Sequence, residues 1–256
     1  MVRSGLRSCL VALVATAAFT QIASAADMPI KAPAPIYQAP IWRWTGFYFG
    51  VNAGYGIGQN QTTETVNGVL GLGNLLLTDH TLAPQGFVGG GQIGYNWQFA
   101  PNWLLGVEAD FQGTSQKDSS CTFECGIAPL NASQKMPWFG TARARLGYVN
   151  GDYLWYVTGG GAWAKIDSDY SVSGFGISGD SASFSETKGG FAVGGGVETH
   201  LAGNWTAKLE YLYVDLGTIT NTYATPNSFG AGSSLTVDSK IRDNIVRVGL
   251  NYKLTP

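Results

Sequence analysis

The chain has 256 residues, of which only 12% are charged, and its formal net charge is −2. The charged fraction is about half that of an average soluble domain, whereas 36 glycines and an aromatic content of 12% are high. A chain without an excess of basic residues is not typical of nucleic-acid binding, so that class of partner is excluded. Mean hydropathy is only +0.03, and past the N-terminus no apolar run is long enough for a transmembrane helix. Polar and apolar residues must therefore be finely interleaved.

Residues 1–25 have the pattern of a secretory signal peptide. Arg3 and Arg7 precede a short apolar core at residues 9–19, and small residues at 23–25 form a cleavage site. The core is too short to span a membrane, which favours cleavage over anchoring. Cys9 opens the apolar core instead of following it, which argues against a lipoprotein.

Residues 26–45 are rich in proline. Prolines at positions 29, 33, 35 and 40 favour an extended polyproline-like tether, which we place in the periplasm. A proline-rich ligand for a partner domain is the alternative interpretation.

From residue 46 onward, apolar residues recur at every second position, the period of a β-strand. In residues 244–254, for example, Val246, Val248 and Leu250 alternate with Arg247 and Gly249. Eight such segments occur, at 46–58, 86–99, 102–114, 138–149, 153–166, 187–200, 204–216 and 241–254. Each is long enough to cross a bilayer as a tilted strand, which needs about 9 to 11 residues.

The connections between these segments alternate in length. Residues 100–102, 150–152 and 201–203 are short turns. The other four connections are expected to be long polar loops, near 59–85, 115–137, 167–186 and 217–240. This asymmetry is typical of bacterial outer-membrane barrels. The sequence therefore predicts an all-β fold, an eight-stranded antiparallel transmembrane β-barrel of up-and-down topology over residues 46–256.

Aromatic residues cluster beside the short turns and near the chain end. A second set, Tyr55, Phe111, Trp138 and Tyr213, lies toward the long connections. Such rings favour the headgroup zone of a membrane, so the pattern predicts one girdle at each interface. A soluble β-sandwich would not align its aromatics by distance from alternate turns. The residues of the periplasmic girdle are Trp97, Trp103, Tyr148, Tyr153, Trp205 and Tyr252. The expected partners are outer-membrane lipid and lipopolysaccharide, with host or other extracellular partners reached through the loops.

If the apolar faces meet lipid, the charged residues on the opposite faces must line the barrel interior. Seven of them lie about four to eight residues from the periplasmic turns, so they are expected to meet near mid-barrel. They are Glu108, Asp110, Arg143, Arg145, Lys208, Glu210 and Arg247. The lumen of an eight-stranded barrel holds little beyond side chains, and opposite charges there would compensate each other. We expect a polar core that plugs the barrel; a narrow gate for small ions is the alternative.

The sequence offers few residues for catalysis or metal binding. Cys121 and Cys125 lie four residues apart in a polar stretch, which in an exported protein favours a local disulfide. A metal site would need further ligands, and neither His80 nor His200 is near them in sequence. The two histidines are expected on opposite sides of the membrane, so they cannot cooperate. We predict no enzymatic activity, no metal and no cofactor.

Three stretches resemble the outer-membrane immunogenic, or surface-antigen, proteins of alphaproteobacteria, a porin-like barrel family. They are the lead ADMPIKAPAPIY at 26–37, the first strand WTGFYFGVNAGYG at 44–56 and the end VRVGLNYKL at 246–254. The resemblance implies an OmpA-like eight-stranded barrel in the bacterial outer membrane, with antigenic loops and a role in envelope integrity or host contact. The family usually ends on an aromatic residue, whereas Leu254-Thr255-Pro256 ends this chain, so Tyr252 is the candidate aromatic of the insertion signal.

Three hypotheses for function follow. The leading one is a structural, surface-exposed barrel without enzymatic activity, whose strands display variable loops. The second is a porin-like narrow pore for small solutes. The third, suggested by members of the family credited with haem binding, is a haem-binding surface protein that would need His80, Tyr170 or Tyr223 as an iron ligand.

Overall fold

The computed structural model describes residues 42–68, 73–123, 130–174 and 177–254. The described part belongs to one compact unit, Trp42–Pro256. The signal peptide, residues 26–41 of the tether and Cys125 lie outside the described residues, so what the sequence indicates for them stays a prediction.

Ten strands and one short helix follow each other along the described chain. They are β1 (Gly46–Gly58), β2 (Asn60–Asn67), β3 (Leu75–Leu82), β4 (Gln85–Ala100), β5 (Trp103–Phe123), β6 (Leu130–Asn150), β7 (Tyr153–Gly174), β8 (Ile177–Ala202), β9 (Trp205–Ala224), α1 (Pro226–Phe229) and β10 (Ser234–Lys253). No helix among the described residues has the length and apolarity to cross a membrane.

Eight strands close into an antiparallel ring. The order is β1, β4, β5, β6, β7, β8, β9 and β10, and β10 pairs back onto β1. The predicted eight-stranded barrel is therefore confirmed. β1 and β2 both pair with β10, one after the other along its length. β1 pairs with residues 243–253 of β10, and β2 pairs with residues 234–240. β3 pairs with β2 and leads back into β4.

The strands extend much further than the sequence pattern predicts, and this corrects the expected loops. β5 runs to Phe123 and β6 starts at Leu130, so most of 115–137 is strand. Likewise β7 and β8 occupy nearly all of 167–186, β9, α1 and β10 most of 217–240, and β2 and β3 much of 59–85. Strands of this length carry the barrel well beyond the bilayer, because about 9 to 11 residues suffice to cross it.

Polarity inverts along these long strands, which explains why the extensions looked like loops. Around the membrane-spanning ring the outward side chains are apolar; Val157, for example, is 62% exposed. In the strand extensions beyond this ring, which we call the extracellular section, the outward positions are mainly Ser, Thr, Asn, Asp and Lys, and apolar residues face inward. That inward cluster comprises Val66, Leu82, Leu130, Ala132, Tyr170, Val172, Tyr223, Leu235 and Val237. A stretch whose water-facing side is polar, and whose inward side includes polar residues such as Thr62 and Gln134, is polar on average, although its period is still two.

The predicted girdle residues lie at the outer surface near the periplasmic end. Five of them are about half exposed, while Tyr252 is half-buried between Trp205 and Phe49, with ring centroids 5.1 and 5.8 Å away. Trp103 and Tyr148 pack edge to face at 5.5 Å. A second set of ring pairs, Tyr55–Phe87, Phe111–Trp138 and Phe191–Tyr213, lies toward the other end of the ring.

Candidate functional site

The lumen at mid-barrel holds a layer of buried charged side chains. Period-two alternation on β5, β6, β9 and β10 turns these residues inward, opposite the lipid-facing positions. The structure brings together all seven residues expected there, each with a side-chain exposure of 2% or less. We call them, with Glu198, the lumen charge layer.

Two arginines connect three carboxylates from two strands, β5 and β9. Arg143 places Nη2 at 2.7 Å from Glu108 Oε1 and 2.9 Å from Asp110 Oδ2, and Nη1 at 2.9 Å from Glu210 Oε1. Arg247 donates Nε to Glu210 Oε2 at 2.6 Å and Nη2 to Asp110 Oδ2 at 3.1 Å. Charge-assisted bonds of this kind are the stronger class of hydrogen bond in proteins.

One lysine and two tyrosines supply the other hydrogen bonds to Glu108 and Glu210. Lys208 Nζ lies 2.9 Å from Oε1 and 3.0 Å from Oε2 of the Glu108 carboxylate. Tyr48 donates its hydroxyl to Glu108 Oε2 at 2.7 Å, and Tyr156 donates to Glu210 Oε1 at 3.2 Å. Sequence reasoning assigned aromatics to the girdle and overlooked these two, although both occupy inward positions in the period-two pattern.

Glu198 is a charged residue of this layer that was not predicted from the sequence. Arg145 Nη1 lies 3.1 Å from Glu198 Oε2, and Asn251 donates to Glu198 Oε1 at 2.8 Å. With Glu198 included, four cations (Arg143, Arg145, Lys208, Arg247) face four carboxylates (Glu108, Asp110, Glu198, Glu210), so the layer is formally neutral. The signal was present, because alternation along β8 turns position 198 inward. Glu198 lies only three residues before the turn at 201–203, however, whereas the predicted charges lie about four to eight residues from the periplasmic turns.

Glycines opposite the two tyrosines make room for these rings. A Cβ at Gly94 would lie 2.2 Å from the Tyr48 hydroxyl oxygen, and one at Gly196 would lie 2.8 Å from that of Tyr156. The Arg145 guanidinium lies between the rings, 4.8 Å from the Tyr48 centroid and 5.3 Å from that of Tyr156. Both distances suit cation–π attraction between the guanidinium and the rings.

Apolar clusters lie inside the barrel on both sides of the lumen charge layer. Trp44, Leu104, Val149, Leu154 and Tyr156 form the periplasmic one. The larger cluster toward the extracellular side includes Phe139, Ile166, Leu212, Ile241 and Ile245.

The last residues before β1 pack into the periplasmic mouth. Trp44 is only 2% exposed, and Trp42 stacks on His200 with ring centroids 4.1 Å apart. Lys253 Nζ lies 4.4 Å from the Trp42 ring centroid. Trp42 and Trp44, which fall within the predicted tether, are packed against the barrel instead, because two large rings gain more from burial than from remaining in water.

The remaining candidate residues do not converge on the lumen charge layer. Cys121 is disulfide-bonded; since Cys125 lies outside the described residues, the pairing of the two stays a prediction. His80 lies on β3, 3.9 Å from Glu64, whereas His200 lies at the periplasmic end, 3.7 Å from Asp152. Within the described ranges no group of three or more metal-ligating side chains is assembled.

Tyr170 and Tyr223, the other candidate iron ligands, lie inside the extracellular section. Their rings stack at 6.3 Å and are 2% and 9% exposed. Burial, reinforced by the charge of Glu64, raises the pKa of the Tyr223 phenol. The phenolate, which is the form of tyrosine that binds iron, is therefore disfavoured at this position.

The long tilted strands, the lipid-facing apolar ring and the filled interior define a small transmembrane β-barrel of the bacterial outer membrane. The family model of the outer membrane protein beta-barrel domain matches residues 11–253, and the chain belongs to this family. It is 38% identical over 265 residues to the 31 kDa outer-membrane immunogenic protein of Brucella melitensis biotype 1, covering 97% of this chain and 100% of that protein. It is 32% identical to the 22 kDa outer membrane protein of Rhizobium leguminosarum bv. viciae, covering 69% of this chain and 66% of the relative.

Two solved structures align with this chain at low sequence identity. OprG of Pseudomonas aeruginosa aligns with a TM-score of 0.46 at 11% identity, covering 82% of this chain and 98% of that one. Neisserial surface protein A aligns with a TM-score of 0.38 at 14% identity, with the same coverage of 82% and 98%. The family model and the curated relatives confirm the predicted family and the outer-membrane location.

Proposed function

We propose that this protein is a structural barrel without enzymatic activity, closed to solutes by its lumen charge layer, whose extracellular strands present a polar surface to the outside. The observation that carries the proposal is the cross-lumen network itself. Arg143, Lys208 and Arg247 each bond carboxylates on other strands, and their side chains are fully buried.

Energetics favour a closed lumen over an ion gate. An ion could pass only where cations and carboxylates separate, and breaking a buried pair costs about 3–5 kcal/mol. An arrangement lacking one pair would then be populated at or below about one in a hundred. The apolar clusters on both sides of the layer add barriers that a hydrated ion must also pass.

Single-channel recording in planar bilayers tests the closed barrel against the porin-like pore. The folded wild-type protein is expected to give no stable unitary conductance. Glu108→Gln is the informative variant, and Lys240→Gln, on the extracellular part of β10, is its matched control. Stable wild-type steps whose size changes in Glu108→Gln but not in Lys240→Gln would establish a pore through the charge layer and overturn the proposal.

Surface display has its own test on intact cells. Thr222 faces outward in the extracellular part of β9, and Ala202 ends β8 beside the short turn that leads into β9. A membrane-impermeant maleimide is expected to label Thr222→Cys and not Ala202→Cys until the outer membrane is permeabilised. The reverse pattern would place the long strand extensions in the periplasm and refute the display role.

Haem capture at the surface is disfavoured by the positions of its candidate ligands. Tyr170 and Tyr223 are buried against Phe184 inside the extracellular section. Titration of haemin into the folded protein is therefore expected to leave the Soret band unshifted. A saturable shift abolished by His80→Ala, Tyr170→Phe or Tyr223→Phe would reinstate the haem hypothesis.

A further inference from the structure

Three lysines lie close together on the outer face of β5, β6 and β7. Lys117 and Lys135 stand directly opposite each other across β5 and β6. Lys165 on β7 is registered with Trp138, three residues after Lys135 on β6. We call these three residues the lysine patch. Opposed side chains on one face of an antiparallel pair have their Cβ atoms about 5 Å apart, so like charges there repel.

Within the described ranges, Lys117 and Lys135 form no ion pair that would relieve this repulsion. Asp167 is registered with Lys135, but it lies 3.6 Å from Lys165 and accepts a hydrogen bond from Ser185 at 2.7 Å. Another outward cation near this end of the ring, Arg242, is paired with Asp215 at 3.3 Å. The patch therefore keeps a net positive charge.

The patch lies at the level of the outer-leaflet headgroups. Lys165 shares its register with Trp138, and Trp138 stacks on Phe111 at 5.4 Å in the extracellular ring of aromatics. Below these rings the surface is apolar and faces acyl chains; above them it faces water. Lysine stems reach along apolar surface while the ammonium stays in the headgroup zone.

A polar groove continues upward from the patch. It has a volume of about 370 Å³ and runs across four strands, from β5 to β8. Two cross-strand rows line it, Ser119–Ser133–Asp169–Ser183 and Cys121–Asn131–Ser171–Ser181. The hydroxyl, amide and carboxylate groups of these rows match the hydroxyls of a sugar, as donors and as acceptors.

From the membrane outward, this side of the barrel thus presents aromatic rings, then unpaired ammonium groups, then hydroxyl groups. We propose that the lysine patch and the groove above it bind one phosphorylated glycolipid of the outer leaflet, the lipid A part of lipopolysaccharide. Its acyl chains would lie against Phe111 and Trp138, a phosphate would bridge Lys117 and Lys135, and its sugars would enter the groove. A phosphate between the two ammonium groups removes the repulsion that the bare pair carries.

Thermal unfolding of the folded protein in detergent, with and without bisphosphorylated lipid A, tests this site. Lipid A is expected to raise the unfolding temperature of the wild type and to bind the double variant Lys117→Gln/Lys135→Gln about tenfold or more weakly, because two charge-assisted bonds are lost. Lys240→Gln is the control and is expected to bind like the wild type. Without lipid, the double variant should unfold at the same or a higher temperature, since a repulsion has been removed, and this shows that it folds.

Two further probes separate the glycolipid from a simple anion. Monophosphorylated lipid A is expected to bind more weakly than the bisphosphorylated form, and inorganic phosphate at equal concentration is expected not to compete. Equal binding of lipid A by the double variant and the wild type would overturn the proposal. Full competition by inorganic phosphate would also overturn it, because the patch would then recognise an anion and not a glycolipid.

Discussion

Arg143 and Glu210 form an ion pair across the barrel interior, with Nη1 and Oε1 separated by 2.9 Å. Arg143 lies on β6 and Glu210 on β9, and two strands separate these elements in the ring. The pair therefore spans the lumen instead of following a strand ladder. Lys208 on β9 and Glu108 on β5 make a second connection of the same kind. Such bonds join walls that backbone hydrogen bonding leaves apart.

Removing the central cation is expected to destabilise the barrel strongly. Arg143→Ala leaves Glu108, Asp110 and Glu210 short of a partner and should lower the free energy of unfolding by about 3–5 kcal/mol. Urea unfolding in lipid vesicles measures this. Val157→Ala, at a lipid-facing position, is the control and should change the value by much less. An effect of Arg143→Ala no larger than that of the control would show that the network adds little stability.

The cross-lumen pair itself can be isolated by a double-mutant cycle. Arg143→Met with Glu210→Gln should be less destabilising than the sum of the two single changes, because neither charge is then left without its partner. The coupling free energy is obtained from unfolding curves of the wild type and the three variants. Strict additivity would contradict a direct interaction between the two side chains.

Gly94 is expected to tolerate no side chain. Gly94→Ala places a methyl group against the Tyr48 ring and pushes its hydroxyl away from Glu108, which should cost about 1–3 kcal/mol of stability. Gly91→Ala is a closely matched control, because a Cβ there meets only the Gly50 carbonyl oxygen, at 3.7 Å. Equal unfolding free energies for the two variants would contradict the close approach of Tyr48 to Gly94.

Trp44 is expected to hold the periplasmic end of the barrel together. Trp44→Ala removes a ring packed against Leu104 and Leu154 and should cost about 3–5 kcal/mol. Trp97→Ala, whose ring is 55% exposed on the lipid side, is the comparison at a similar level of the barrel. Chemical unfolding followed by tryptophan fluorescence measures both. A larger loss at Trp97 would place Trp44 outside the packed mouth.

The predicted signal cleavage and disulfide can be tested on one sample of the exported protein. Intact mass should correspond to a chain that lacks residues 1–25, and iodoacetamide should label no cysteine before reduction and two after it. Cys125→Ser should leave Cys121 free and labelled without reductant. Labelling of both cysteines before reduction would rule out the Cys121–Cys125 bond.

The period-two alternation in the membrane-spanning segments was enough to predict both the strands and the side on which their charges lie. Alternation is a local property, since successive side chains on an extended backbone point to opposite faces. Arg143 and Arg145, for example, could be turned inward without knowledge of their partners. The same rule would have predicted the strand extensions, had an apolar face been expected to point inward again above the membrane.

The side-chain partners inside the lumen and on the lysine patch depend on how neighbouring strands are aligned, which alternation within one strand does not specify. Glu198 belongs to the lumen charge layer because the stagger between β8 and its neighbours brings it level with Arg145, and stagger is set only when the ring closes. Tyr48 enters because Gly94 on the neighbouring strand leaves space for it. The lysine patch depends likewise on the register that sets Lys117 opposite Lys135.

The amino-acid sequence by itself determined the membrane-spanning strands, their direction, the lipid-facing side and the class of protein, because each of these depends on local alternation and on turn chemistry. The tertiary structure alone decided which charges neutralise each other, that an apolar core fills the extracellular section, and where Trp42 and Trp44 pack. These depend on distances between residues far apart in the chain, and only closure of the barrel sets those distances.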